Sequence, residues 1–305
     1  MTLTIGLIGC GRWGTIHHAT LMSLKQEGYL DRLIVCDIDV TARDAVEADA
    51  HYASIDAMLT SEQLDGVAIV TPPETHLSLA RQVLAANLPV FVEKPLGSSG
   101  EEETSFLSEL TDDVTVMVGY LLRYHAGLKR IKAAIDDRAM NIETLSYRRR
   151  TTRTKPSGAD PLFTLAVHGL DTARHLTGGI LAEMEVRKLE VTDASADIWL
   201  WDRSTLITID VAWGAEEEQR TLAVQGATSG AVLDFGTGEV AWYAGTGENE
   251  EPLVEHFPSQ PLREEWLSFL RRIADGLPGI VPEPDSLLDV SAWLSQHGPV
   301  SSEPR

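Results

Sequence analysis

The sequence predicts an α/β protein in two parts: an N-terminal doubly wound parallel sheet, and a C-terminal α+β domain built on a large open, mostly antiparallel sheet. Three observations predict it. Apolar β-branched runs alternate with helical patterns over the first 120 residues, the runs then become short and alternating, and one turn carries glycines at fixed spacing.

In the first part, LTIGLIG, RLIVCD, DGVAIVTPP, LPVFVEK and TVMVGYLL read as strands buried on both faces, with helical stretches between them, the first from Trp13 to about Gly28. Such alternation implies right-handed crossovers and a parallel sheet. In the second part TLSYRRR, AEMEVRKLEV, DIWLWD, TLITIDVAW, QRTLAVQG, AVLDF and VAWYA read as strands of one sheet. Apolar residues occupy both parities of these strands, Trp199, Trp201, Trp213 and Trp242 among them, so a homodimer or homotetramer is expected to cover the second face. The expected division is residues 1–120 and 121–305.

Composition narrows the partners. The chain has 305 residues, 43% hydrophobic, and a formal net charge of −21, which disfavours nucleic acid. No apolar run approaches the roughly 20 residues of a membrane span, and the glycines and Arg12 in MTLTIGLIGCGRWG break any signal-peptide pattern. A soluble cytoplasmic protein without membrane association is the expectation. Cys10 and Cys36 lack metal-ligand spacing and read as reduced and structural; no metal site is predicted.

The glycines are Gly9, Gly11 and Gly14 of GCGRWG, between the first strand and the first helix. The first permits a tight turn, the second lets backbone approach a pyrophosphate, and the third lets helix pack closely on strand. Arg12 and Trp13 share that turn, so the first part is read as a Rossmann, NAD-binding domain. Asp37, 23 residues after Gly14, stands where an acid takes the adenosine ribose hydroxyls and repels a 2′-phosphate. NAD is therefore favoured over NADP, with Asp39 as the competing acid. Thr71 and Glu74 of TPPETH fit a capping box with Pro72 at the first helical position. Thr71, Pro72 and His76 are candidate cofactor walls, and His76 fits a helix surface equally well. Glu93 and Lys94 of EKP end a strand that Pro95 cannot continue, which sets a lysine at the edge where open α/β sheets bind ligands.

Together GCGRWG, Asp37, TPPETH and EKP resemble the Gfo/Idh/MocA family of glucose-fructose oxidoreductases and inositol dehydrogenases, and PLREEWLSFLRRIADG is similar to that family's late helix. The resemblance implies an NAD(P)-dependent oxidoreductase acting on a secondary alcohol or ketone of a sugar, cyclitol or nucleotide sugar, with Lys94 beside the nicotinamide and Glu93 helping to hold it. It also implies that DPLFTLAVHGLDTARHLTGG is the substrate-facing helix, with His168 as the catalytic base. Asp160 reads as that helix's cap, Pro161 as its first position and Gly178 or Gly179 as its stop; Thr164, His168, Asp171 and His175 fall on one stripe. Here the chain departs from the family, where an aspartate usually precedes the histidine by one turn and this chain has Thr164. Asp171 or Asp160 is the candidate replacement charge.

Tyr120, Arg123 and Tyr124 follow the last parallel strand and are candidate substrate contacts, with core packing as the alternative for the tyrosines. Arg148, Arg149, Arg150, Arg153 and Lys155 form a local basic cluster. A subset, Arg150 first, is a candidate for an acidic or phosphorylated sugar; ion pairs within an acidic protein are the other reading. Two further functions stay open: a catalytically silent NAD-binding regulator, and an NAD-assisted glycosidase.

Overall fold

The structure is a computed structural model that describes residues 3–137, 140–245 and 251–298. It divides into two compact units, Met1–Tyr120 with Leu262–Leu288, and Leu121–Pro261 with Asp289–Arg305.

The first unit begins with β1 (Thr4–Ile8), α1 (Arg12–Gln26), β2 (Arg32–Cys36), α2 (Val40–Asp44), β3 (Ala50–Tyr52), α3 (Ile55–Ser61), β4 (Gly66–Ile69), α4 (Pro73–Ala85), β5 (Val90–Glu93), α5 (Gly100–Glu109) and β6 (Thr115–Gly119). The central strands β4, β5 and β6 are buried at every position, as a parallel sheet with helices on both faces requires. Two helix starts follow from side chains: Asp39 accepts the N–H groups of Thr41 and Ala42, and Ser54 accepts that of Ala57. The TPPETH start differs from the sequence expectation. Helix α4 has Pro72 itself as its N-cap with no side-chain cap bond, and Thr71 Oγ1 bonds Thr75 Oγ1 at 2.6 Å, so no capping box forms with Glu74.

The second unit contains α6 (Ala126–Asp136), β7 (Thr144–Thr151), a π-helical turn at Leu162–Ala166 running into α7 (Val167–Thr177), and then β8 (Glu185–Val191), β9 (Ser195–Asp202), β10 (Thr205–Trp213), β11 (Gln219–Gln225), β12 (Ser229–Asp234), β13 (Glu239–Ala244) and β14 (Leu253–His256). Its eight strands run in the order β14-β13-β12-β11-β7-β10-β9-β8, antiparallel except for the β7·β10 pair. Inward residues such as Leu145, Tyr147, Ile198, Leu200, Ile207 and Ile209 are buried, whereas Trp199 and Trp201 on the other face remain 41% and 37% exposed. Within one chain, then, the second face is only partly covered.

After β14 the chain returns to the first unit with α8 (Pro261–Asp275) and β15 (Gly279–Val281), and it ends in α9 (Pro284–His297), within which the division between units falls. Strand β15 pairs parallel to β6, giving a seven-stranded sheet of order β15-β6-β5-β4-β1-β2-β3. Residues Phe269 and Ile273 of α8 pack on Gly66, where a Cβ would stand 2.7 Å from Ile273.

Candidate functional site

Strand order locates the ligand edge of the first unit. From β1 the sequence proceeds outward through β2 and β3 on one side and through β4, β5 and β6 on the other. That reversal is a topological switch point, and open α/β sheets bind ligands outside the strand carboxyl ends there. The turn after β1 and the first turn of α1 hold Gly9 to Gly14, the turn after β4 holds Thr71 and Pro72, and the end of β5 holds Glu93 and Lys94. A recess lined by Leu84, Asn87, Pro89, Val114 and Pro278 opens at the opposite, amino edge.

Each glycine of the first turn has its own reason. Gly9 sits at φ +97, and a Cβ there would lie 2.3 Å from the Val70 carbonyl oxygen. At Gly14 a Cβ would lie 2.0 Å from the Gly9 carbonyl oxygen. Gly11 is the reverse case: a Cβ would meet nothing within 4 Å, and Gly11 is the N-cap of α1 with no side-chain cap bond. Open space at the mouth of a 15-residue helix with an uncapped amino end suits a pyrophosphate. The residues present therefore fit a dinucleotide. Arg12 and Trp13 are exposed at the start of that helix.

The two acids after β2 have separate tasks. Asp37 Oδ2 accepts the Cys10 N–H at 2.6 Å and its Oδ1 accepts the Asp39 N–H at 2.8 Å, while Asp39 caps α2. The negative charge beside the glycine turn thus belongs to Asp37. Arg43 Nη1 donates to the Asp37 carbonyl oxygen at 3.1 Å. Both cysteines are buried, and burial first, then the Asp37 charge, pushes their thiols up to about 12 for Cys10 and about 11 for Cys36. Neither is a thiolate nucleophile at neutral pH.

His76 is neither on a helix surface nor in an exposed wall. It is 1% exposed, with Nδ1 2.9 Å from the Pro95 carbonyl oxygen and Nε2 2.7 Å from that of Thr71, so it ties the turn after β4 to the turn after β5 from behind. Pro72 is exposed and Thr71 half-buried.

Glu93 is 4% exposed. Burial alone would raise its pKa, but the bond from His17 and further donors outweigh it, and the carboxyl lies below its ordinary range. The half-buried Lys94 ammonium is lowered, chiefly by burial, with the Glu93 charge opposing the shift. A lysine of lowered pKa at this edge is a functional-site candidate. Tyr120 is 2% exposed.

In the second unit, Gly169 allows α7 to lie directly on the sheet, since a Cβ there would stand 2.7 Å from Tyr147 and 2.8 Å from Ile209. Helix α7 ends at Gly178, in the left-handed conformation at φ +67. His168 and His175 are half-buried on it. The expected single stripe is interrupted, because Thr164 belongs to the π-helical turn rather than to an α-helical turn before His168. Thr164 Oγ1 donates to the Asp160 carbonyl oxygen at 2.5 Å and accepts from Trp213 Nε1 at 3.4 Å. Asp160 caps through Oδ1, which accepts the Leu162 N–H at 2.7 Å.

Asp171 is 2% exposed and grips Arg123, whose Nη2 donates to Oδ1 at 2.6 Å and whose Nε lies 3.0 and 3.1 Å from the two carboxylate oxygens. This forked pair engages both candidate residues with each other.

The basic cluster is dispersed. Arg148 and Arg150 pair with Asp210, Arg149 with Glu218, and Lys155 with Asp193; Arg153 is exposed. By strand alternation Arg150 faces away from Tyr147, which contacts α7, so the structure does not bring Arg150 and His168 together. Sequence reasoning missed His17, although it lies on the helix that follows the glycine turn.

Comparison with known proteins accords with this arrangement. Residues 3–120 match the family model described as an oxidoreductase family with an NAD-binding Rossmann fold, GFO_IDH_MocA. An inositol 2-dehydrogenase of Rhizobium meliloti (strain 1021) is 29% identical over 187 residues, 58% of this chain and 56% of its own, so the chain spans just over half the length of that relative. A UDP-N-acetylglucosamine 3-dehydrogenase of Acidithiobacillus ferrooxidans is 25% identical over 236 residues, 75% of this chain and 73% of its own. A solved structure of the Acidithiobacillus ferrooxidans enzyme superposes with a TM-score of 0.78 at 21% identity, covering 97% of this chain and 96% of that one, which establishes the shared fold. With the glycine turn and the switch-point lysine in hand, residues 3–120 match the NAD-binding Rossmann part of the Gfo/Idh/MocA oxidoreductase family, and the chain as a whole shares the fold of the Acidithiobacillus ferrooxidans enzyme.

Proposed function

We propose that the protein is an NAD-dependent dehydrogenase, or ketone reductase, acting on a secondary alcohol of a sugar, cyclitol or nucleotide sugar. The observation that carries this reading is Lys94 at the carboxyl end of β5, on the same sheet edge as the glycine turn. In this reading Gly9, Gly11 and Gly14 and the first-turn N–H groups of α1 hold the pyrophosphate. Asp37 meets the adenosine ribose and its charge disfavours a 2′-phosphate, which is the ground for preferring NAD. The nicotinamide, when bound, supplies the hydride acceptor or donor.

Lys94, as a cation, stabilises the developing alkoxide and lowers the effective pKa of the alcohol. Its own lowered pKa brings it nearer to neutrality than a surface lysine. His168 takes the hydroxyl proton as general base. No carboxylate stands at Thr164 to stabilise the imidazolium, and a neutral in place of a charge-assisted hydrogen bond costs about 1 kcal/mol, somewhat under tenfold in rate. Asp171 is a poor replacement because its charge is matched by Arg123. Exposed Trp199 and Trp201 support a homo-oligomer through the open face of the second sheet, which sedimentation velocity tests.

The deciding experiment is NADH formation from NAD with myo-inositol, other polyols, free sugars, sugar acids and UDP-N-acetylglucosamine, using the unmodified protein and Lys94→Ala. A signal from the unmodified protein that Lys94→Ala abolishes supports the reading. Tight NADH binding without NADH formation from any substrate refutes it and favours the silent regulator or the NAD-assisted glycosidase, whose cofactor returns to its starting state.

A further inference from the structure

The mechanism leaves one buried polar cluster of the first unit unused. His17 is 0% exposed in the second turn of α1, and its Nε2 lies 3.0 Å from Glu93 Oε1. On the other side of the ring, Trp266 Nε1 donates to His17 Nδ1 at 3.2 Å. An indole nitrogen only donates, so Nδ1 carries the lone pair and the ring's proton sits on Nε2, which donates to Glu93. Trp266 therefore fixes the tautomer that Glu93 needs.

The imidazole is also confined by aromatic edges. Trp13, Phe91 and Trp266 each meet it edge-on, with centroids at 5.6, 5.7 and 5.8 Å, and Phe91 stacks on Trp266 at 5.1 Å. The Glu93 carboxylate accepts further bonds from the Trp13 indole and, through Oε2, from the Lys94 main-chain N–H at 3.0 Å. A methyl group at Gly119 would stand 2.8 Å from Glu93 Oε1, so the carboxylate has no slack on that side. Burying an ionised group costs several kcal/mol unless it is fully bonded, and stability alone is as well served by an apolar side chain. What this carboxylate holds is the backbone of Lys94, and what holds the carboxylate is the helix that opens at the glycine turn.

We propose that His17, oriented by Trp266, is a positioning residue for Lys94 that acts through Glu93 and so couples the helix of the glycine turn to the lysine at the end of β5. The part of this inference that concerns turnover rests on the dehydrogenase reading; the part that concerns geometry does not.

The test uses the full chain with His17→Leu, which removes both bonds, His17→Gln, whose amide can donate to Glu93 and accept from Trp266, and Trp266→Phe, which keeps a ring and removes the donor. The first readout needs no substrate: the rate of reductive methylation of Lys94 by formaldehyde, read by peptide mass spectrometry with and without NADH, with Lys25 and Lys132 as internal references. His17→Leu is expected to change Lys94 labelling severalfold while the reference lysines keep their rates, and His17→Gln is expected to restore it. The second readout is turnover with the substrate panel above, where displacement of Lys94 by about 1 Å predicts a kcat loss of about 100-fold with little change in KM for NAD.

Unchanged Lys94 labelling in folded His17→Leu overturns the proposal, as does equal loss in His17→Gln. Should His17→Leu fail to fold, unchanged labelling in Trp266→Phe overturns it in the same way. If the unmodified protein oxidises nothing, the dehydrogenase reading falls while the labelling still decides the positioning role.

Discussion

The pair of Arg123 and Asp171 allows a quantitative prediction within the second unit. Asp171 is 2% exposed and Arg123 13% at their side chains, and three close contacts of 2.6 to 3.1 Å join them. Breaking a buried ion pair by removing one of its members costs about 3–5 kcal/mol. At about 2–4 °C per kcal/mol for a domain of this size, Arg123→Met or Asp171→Leu alone should lower the unfolding temperature by roughly 6–20 °C. The double substitution leaves two apolar groups in place of two paired charges and should recover most of that loss, giving a coupling energy of about 2–4 kcal/mol. Thermal and urea unfolding followed by circular dichroism on the four proteins closes the cycle. Additive single losses, within about 0.5 kcal/mol, would refute the account of Asp171 as the partner of Arg123 and would return it to candidacy as the charge that Thr164 lacks.

Gly14→Ala drives a methyl group to 2.0 Å from the Gly9 carbonyl oxygen, so NADH affinity measured by fluorescence should fall at least about tenfold; retained affinity would mean that this turn does not hold the pyrophosphate. Arg150→Ala removes a largely exposed ion pair with Asp210 and should cost no more than about 1 kcal/mol, with equal affinities for neutral and nucleotide sugars; selective loss of nucleotide-sugar binding would restore the basic cluster as a subsite. Glu218 feels burial, which raises its pKa, but Arg149, Arg220 and the Thr152 N–H bring it down to about 2 from an ordinary 4.5. A depressed folded pKa stabilises above the unfolded value, and that stability is lost as pH falls from about 4.5 towards 2. Because this carboxylate is 36% exposed, solvent screening leaves under about 1 kcal/mol; Glu218→Gln should flatten that window, and an unaltered pH dependence contradicts the assignment.

What the sequence by itself determined is local or periodic. Apolar runs with intervening helical patterns specify a parallel sheet, alternating runs specify the antiparallel one, and the G-x-G-x-x-G spacing, Asp37 and the lysine before Pro95 mark the ligand edge. The Gly178–Gly179 pair announced the end of α7, and the structure puts the left-handed residue at Gly178. Strands β3, β14 and β15 and helix α9 were not legible: β3 and β15 have three residues each, too few to show a period, and β14, though as long as β4 and β5, has LVEH in place of their apolar runs GVAI and VFVE.

What only the tertiary structure decided is which polar groups share a hydrogen bond. His17 reaches Glu93 across 76 positions and Trp266 across 249, and Arg123 reaches Asp171 across 48. No local pattern encodes such partners. The same holds for His76, whose helix-surface appearance gives way to burial once the turns after β4 and β5 close over it, and for Arg150, which strand alternation turns away from α7. Spacing along a chain fixes which side of an element a residue occupies, but the charge balance of a buried group depends on what the fold sets against it, and that is a property of packing in three dimensions.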